Sequence, residues 1–502
     1  MAVRVQGGTR RGLRRGALVI TAVVALVAPL AACAGKAVEG KASPMASIDT
    51  DDAGGVEASD DGPSGPRDNA PDPDVEVENT DNGDMDKIAA GAVADLYQYW
   101  GEQLPKDFKQ EFKKADRLVS YDSGGEALTL CGASTADYIN AFYCNDGQET
   151  MIAWDRGVLL PDLSKQFSPM SVVGVLAHEM GHAVQDQLGE KSNIDQSTPT
   201  ILFEQQADCY MGNFMRYVAD GDSKYFQLNT GEGLNKILAT LFYIRDPAGY
   251  DGTTEPSAHG LAFDRVYAFQ QGFSNDPKRC ADMDMAEIEG RITEAERAPD
   301  DEQAGGEAPL SEANLGLLQD SLDEAFSGND EKVEVKLEDS GSKCDKGKST
   351  TPAAYCPDGK TVSFDLDALE KIAQPLPEPP QPVEEGDGIG DFAAFAEIAS
   401  RYALGVQDAV GAPLDDENAG LRTACLTGAW AQFSKPKDGE EGPKLKLAVG
   451  DLDEAVAELL QDKSLIAADV NGKQVPSGFA RVEAFSLGYS EGAEKCTEGS
   501  GS

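Results

Sequence analysis

Eight of the nine cysteines fall into two sets with one layout. Cys131, Cys144, Cys209 and Cys280 form the first set, and Cys344, Cys356, Cys425 and Cys496 the second. In each set a close pair is followed by a distant pair, and both distant pairs are separated by 71 residues. The sequence around them repeats in the same order. "YCNDGQETMIAWD" at Tyr143–Asp155 answers "YCPDGKTVSFD" at Tyr355–Asp365. "CYMGNF" at Cys209–Phe214 answers "CLTGAW" at Cys425–Trp430, and "FDRVYAFQQGFSNDPKRC" at Phe263–Cys280 answers "FARVEAFSLGYSEGAEKC" at Phe479–Cys496. Shared composition does not keep blocks in register, so the chain reads as an internal duplication. An even set of cysteines suits an oxidising compartment. The layout predicts Cys131–Cys144, Cys209–Cys280, Cys344–Cys356 and Cys425–Cys496, with other connectivities open.

The flanks set the compartment. Arg10, Arg11, Arg14 and Arg15 precede an apolar run at Ala17–Ala32, which ends in "LAAC" at Leu30–Cys33. This reads as a signal peptide over 1–33 that resembles a bacterial lipobox, with Cys33 as the acylated residue. Acyl chains would hold the protein at the extracytoplasmic face of the cell membrane, since no later stretch is apolar enough to span it. Residues 34–84 are rich in Gly, Pro, Ser and acids and read as a disordered acidic tether. A shorter run of that kind at 298–309 reads as a linker between bodies at 85–297 and 310–502. The formal net charge of −45 excludes nucleic acid as a partner, because phosphate contacts need Lys and Arg.

The first body carries a metal pattern. Phe167–Gly189 has a helix frame, with Ser168 placed to cap, Pro169 in the first turn and Gly189 at the end. Within it, His178 and His182 are four residues apart and share one face. That spacing lets two imidazoles reach one tetrahedral ion. Glu179, the next residue, can reach a water at the metal rather than the metal itself. A third ligand is needed. Ile201–Phe214 reads as a second helix on which Glu204 and Asp208, four apart, share a face. Glu204 would complete a His₂Glu shell, and Asp208 would accept the N–H of a ligand imidazole. Asp208 as the ligand stays open. A closed structural zinc site fits poorly, because such sites favour cysteine and the cysteines here are paired. His259, the one remaining histidine, precedes Arg265 by six residues. The two have two readings: stabilisers of a developing oxyanion, or structural residues.

Together, "HEMGHAVQDQLG", "EQQADCYMGNF", "AHGLAFDRVYAFQQGF" and the upstream "AFYCNDGQETMIAWD" resemble the bacterial neutral zinc metallopeptidase family, over about residues 85–282. That family is grouped with the gluzincins. The resemblance implies an α+β, zincin-like domain with a small sheet and active-site helices. It implies His178, His182 and Glu204 as zinc ligands, Glu179 as general base and Asp208 as the partner of a ligand histidine. The spacing of His259 and Arg265 is also similar to that of the prenyl-protein-processing membrane gluzincins, which implies a role at the transition state. This chain departs from those by lacking membrane spans, and from the usual single-domain form by its second copy.

Aligning the two V-Q-D tails puts Ser400, Arg401 and Leu404 opposite His178, Glu179 and His182. Aligning the Cys209 and Cys425 blocks puts Gly420 and Ala424 opposite Glu204 and Asp208, while Arg481 answers Arg265. The second copy therefore reads as a degenerate pseudo-peptidase domain. One zinc ion per chain is expected. The expected function is an extracytoplasmic, membrane-anchored zinc endopeptidase acting on a peptide or protein substrate, bound as a strand along the hairpin at Cys144–Trp154. The alternative is a non-catalytic binding or scaffold lipoprotein whose metal site is structural or vestigial. The sequence does not specify the natural substrate, the oligomeric state or the role of the second copy.

Overall fold

The computed structural model describes residues 50–497 apart from 51, 60, 196, 251–257, 292–307, 328–335, 345–348, 385 and 437–444. The signal segment, Cys33, residues 34–49 and most of the expected linker lie outside the described residues.

The first half builds a three-stranded sheet from β1 (Arg117–Tyr121), β2 (Ala141–Asn145) and β3 (Thr150–Asp155). β3 is central, parallel to β1 and antiparallel to β2, which leaves β2 on an edge. Behind it pack α1 (Asp84–Gln103), α2 (Pro169–Leu188), α3 (Thr200–Ala219), α4 (Glu232–Tyr243) and α5 (Ala262–Ser274). α2 begins with Pro169 and ends at Gly189, whose φ of +54° suits glycine. Ser168 occupies the N-cap position, but its hydroxyl makes no cap bond, which corrects that expectation.

Close helix contacts follow from small residues. A Cβ on Gly181 would lie 2.9 Å from the Cα of Ala207, so α2 and α3 touch backbone to backbone. A Cβ on Gly272 would lie 1.7 Å from the Cys209 carbonyl oxygen, which locks α3 against α5 beside the Cys209–Cys280 disulfide.

The second half runs through the same order. β4 (Lys336–Asp339), β5 (Ala353–Cys356) and β6 (Thr361–Phe364) form a sheet with β6 central, parallel to β4 and antiparallel to β5. α6 (Asp391–Ala409), α7 (Ala419–Phe433), α8 (Asp451–Leu459) and α9 (Gly478–Glu491) follow. A Cβ on Gly488 would meet the Cys425 carbonyl oxygen at 1.7 Å, the same clash at the same step. All four expected disulfides are present.

Two expectations about domains are corrected. The halves are not separate bodies, for they share one continuous core. Phe263 packs edge-on to Tyr489 at 5.3 Å, Phe273 lies 5.1 Å from Phe479, and Gln270 donates to the Phe479 carbonyl at 2.9 Å. The tether does not run to residue 84. Asp52–Ala53 pairs with Val56–Glu57, and Gly65–Pro66 pairs with Phe226–Gln227. Arg67 adds a bond of 3.0 Å to the Ser223 carbonyl. Residues 50–83, apart from 51 and 60, are therefore part of the folded unit.

Candidate metal centre

The Gly181–Ala207 contact sets α2 beside α3 and brings the histidine face of one against the carboxylate face of the other. His178 and His182 stand with their rings perpendicular and their centroids 4.9 Å apart. Each ring is fixed through its Nδ1. That of His178 bonds Asp208 Oδ1 at 2.7 Å, and that of His182 bonds Gln185 Oε1 at 2.8 Å. Gln185 is itself held by donating to the Phe203 carbonyl at 2.7 Å. Both Nε2 atoms turn to Glu204, at 3.1 Å from Oε2 for His178 and 3.5 Å from Oε1 for His182.

This geometry fits a zinc ion. Tetrahedral ligand atoms at the usual zinc distances lie about 3.4 Å apart, close to the separations seen. The charges fit as well. Burial pulls the His178 imidazole down, but Asp208 and Glu204 outweigh it and push its pKa up to about 10. Burial raises Glu204, yet the two histidines hold it well below the ordinary carboxylate range. The donor set favours a positive charge at the point where the three side chains meet.

Glu179 lies beside the three donors and is not one of them. Its carboxylate accepts the Tyr143 backbone N–H of β2 at 2.8 Å, and burial raises its pKa. Next to His178 and Glu179 a cavity of about 140 Å³ is walled by Leu159, Val175, Met211, Leu241 and Ile244.

Residues 52–283 match the family described as Putative neutral zinc metallopeptidase. Zinc is the metal that this family implies, and hydrolysis the reaction class. Over 181 residues the chain is 26% identical to uncharacterized proteins of Mycobacterium bovis and Mycobacterium tuberculosis, covering 33% of this chain. The match spans 61% of the length of those relatives. No solved structure matches the chain.

Within the matched region the other two expected residues have different partners. His259 borders the cavity with its side chain 47% exposed, and its Nδ1 lies 3.7 Å from Asp246 Oδ1. Arg265 is not its partner. The guanidinium is buried and grips both oxygens of Asp208, at 2.9 and 3.0 Å, and donates to the Ile244 carbonyl at 3.0 Å. It orients the residue that orients His178, the structural of the two readings, while bordering the same cavity as His259. Asp208 likewise faces Arg265 and the Nδ1 of His178 rather than the point where the ligand atoms converge.

Gln185 and Asp246 were not singled out from the sequence. Gln185, three residues past His182 on the same helix, was within reach of a spacing argument. Asp246 was not, since only the fold brings it to His259.

Among the described residues the second half offers no such donors. Arg401, opposite Glu179, is fully buried and donates to the carbonyls of Leu465, Ala468 and Asp469. Gly420, opposite Glu204, abuts Ala467, whose carbonyl oxygen a Cβ would meet at 2.7 Å. Asp391, Asp451 and Glu454 form a cluster there, but all three are carboxylates. Glu454 accepts the Phe392 and Ala393 amides and so caps α6.

Proposed function

We propose that this protein is a zinc endopeptidase held at the extracytoplasmic face of the membrane by acylation of Cys33. The observation that carries the activity is the convergence of His178 Nε2, His182 Nε2 and Glu204 on one point, with Glu179 beside it at the edge of an apolar cavity. When bound, zinc supplies a Lewis acid that acidifies water and polarises a carbonyl.

The chain's own residues do the rest. His178, His182 and Glu204 hold the ion. The carboxylate of Glu179, pinned through one oxygen by Tyr143, takes a proton from the attacking water and passes it to the leaving amine. The Asn140 carbonyl bonds Asp155 of the sheet while the Tyr143 amide bonds Glu179. Backbone direction alternates along a strand, so Ala141 and Tyr143 turn their polar groups away from β3, and with the Tyr143 amide taken by Glu179 the carbonyls on that edge are what an extended substrate can pair with. The cavity accepts one apolar substrate side chain. His259, steadied by Asp246, donates to the oxyanion at its rim.

The second half is a duplicate that has lost the reaction. Matching element order, disulfides and glycine contacts support this reading, together with the block order in the sequence.

Glu179→Gln should keep zinc and fold while kcat on an unfolded protein substrate falls by about 10²-fold or more. Wild-type turnover in that variant would end the assignment. Cys33→Ser should move the protein from membrane to soluble fractions, and persistent membrane association would point to another anchor.

A further inference from the structure

We propose that Asp453, in the half without metal ligands, is a positioning residue for the metal centre: it caps α5 and, through Arg265 and Asp208, fixes the imidazole of His178. This rests on the zinc reading of His178, His182 and Glu204.

The need for an outside cap is written into α5. The first-turn amides of a helix have no partners within it. The N-cap position of α5 is Leu261, whose side chain cannot accept a hydrogen bond. Asp453 fills that gap from α8. Its Oδ1 accepts the Phe263 amide at 2.9 Å, and the carboxylate also bonds the Ala262 backbone. Its Oδ2 lies 3.5 Å from Arg245 Nε, with both side chains only 4% exposed. Arg245 extends the clasp by donating to the Phe242 carbonyl at the end of α4 and to the Pro377 carbonyl, at 2.9 and 2.7 Å.

From this clasp the path to the metal is short. Arg265 stands two residues past Phe263, in the turn that Asp453 caps. It holds Asp208 with two hydrogen bonds, and Asp208 holds His178 Nδ1. The neighbouring acids have other work. Asp264 pairs with Arg291, and Asp246 accepts the His259 and Gly260 amides. Supports behind a ligand typically change metal affinity by about 10-fold or more when removed.

Burial pushes the Asp453 carboxyl up to about 6 in spite of Arg245, so the neutral isostere asparagine keeps the amide acceptor without a buried charge. Three variants of the full chain separate positioning from plain stability: Asp453→Ala, Asp453→Asn and Leu369→Ala. Leu369 is a fully buried apolar residue of the same half that takes part in none of these hydrogen bonds. Zinc affinity by chelator competition and the visible spectrum of the cobalt-loaded protein are the readouts, with Tm measured alongside.

Asp453→Ala should weaken zinc binding about 10-fold and shift the cobalt bands. Asp453→Asn should restore affinity to within about twofold. Leu369→Ala should lower Tm and leave both metal readouts at wild type. The inference is overturned if Asp453→Ala binds zinc and cobalt like wild type, or if Leu369→Ala loses as much affinity for the same fall in Tm. A wild-type protein that takes up neither metal ends the reading of the site itself, and this inference with it.

Discussion

Set side by side, the two halves keep the same contacts between backbones and differ in what faces the centre. Tyr143 Oη donates to Asp186 at 2.8 Å in the first, and Tyr355 Oη donates to Asp408 at 2.8 Å in the second. Gly272 and Gly488 meet the carbonyls of Cys209 and Cys425 in the same way. At the centre the likeness stops. α2 presents His178, Glu179 and His182, while α6 presents Ser400, Arg401 and Leu404, all three fully buried.

Where the first half has a cavity beside Glu179, the second has buried polar groups around the aligned Arg401. Arg401 satisfies three carbonyls, and burial pulls its pKa down to about 10. Glu397 and Glu458 are buried nearby, and desolvation raises both. Helix packing and the candidate metal ligands thus occupy different positions, and the second half has the first set without the second.

The largest effect should be in metal content. The full chain should carry about one zinc, and His182→Ala should carry none, by elemental analysis. Two ions per chain would break the contrast between the halves. A smaller effect tests what they share. Gly272→Ala and Gly488→Ala each force a methyl into a backbone carbonyl, so each should cost about 3 kcal/mol in denaturant unfolding. Similar losses would sharpen the equivalence. A loss in Gly272→Ala alone would show that the α7–α9 contact is not held as tightly as α3–α5.

The metal centre was largely legible because its residues sit close in sequence on two helices. The spacing of His178 and His182, and of Glu204 and Asp208, fixes faces, and the repeated cysteine layout pointed to the disulfide pairing found, with other pairings open. What failed depends on tertiary partners. Residues 50–83 have the composition of a tether, but they are held by backbone bonds such as those of Gly65–Pro66 to Phe226–Gln227, which composition does not register. The acidic stretch at 298–309 reads as a linker, yet linker composition says nothing about whether the segments it joins share a core. Spacing put Arg265 near His259 along the chain. Only the approach of α3 to α5 shows that its guanidinium belongs to Asp208.

The shared core also sets an order of events. Gln270 bonds Phe479 across 209 residues, and Phe263 waits for Tyr489 almost at the end of the chain. A ribosome releases the histidines and Glu204 long before it releases α9. Until α9 arrives, the side of α5 that it covers, at Phe263, Gln270 and Phe273, stays open to solvent, while α3 already holds the opposite side. Contacts of such long range form late, because their loop must close first. The aromatic seam between α5 and α9 is therefore among the last parts of the core to close.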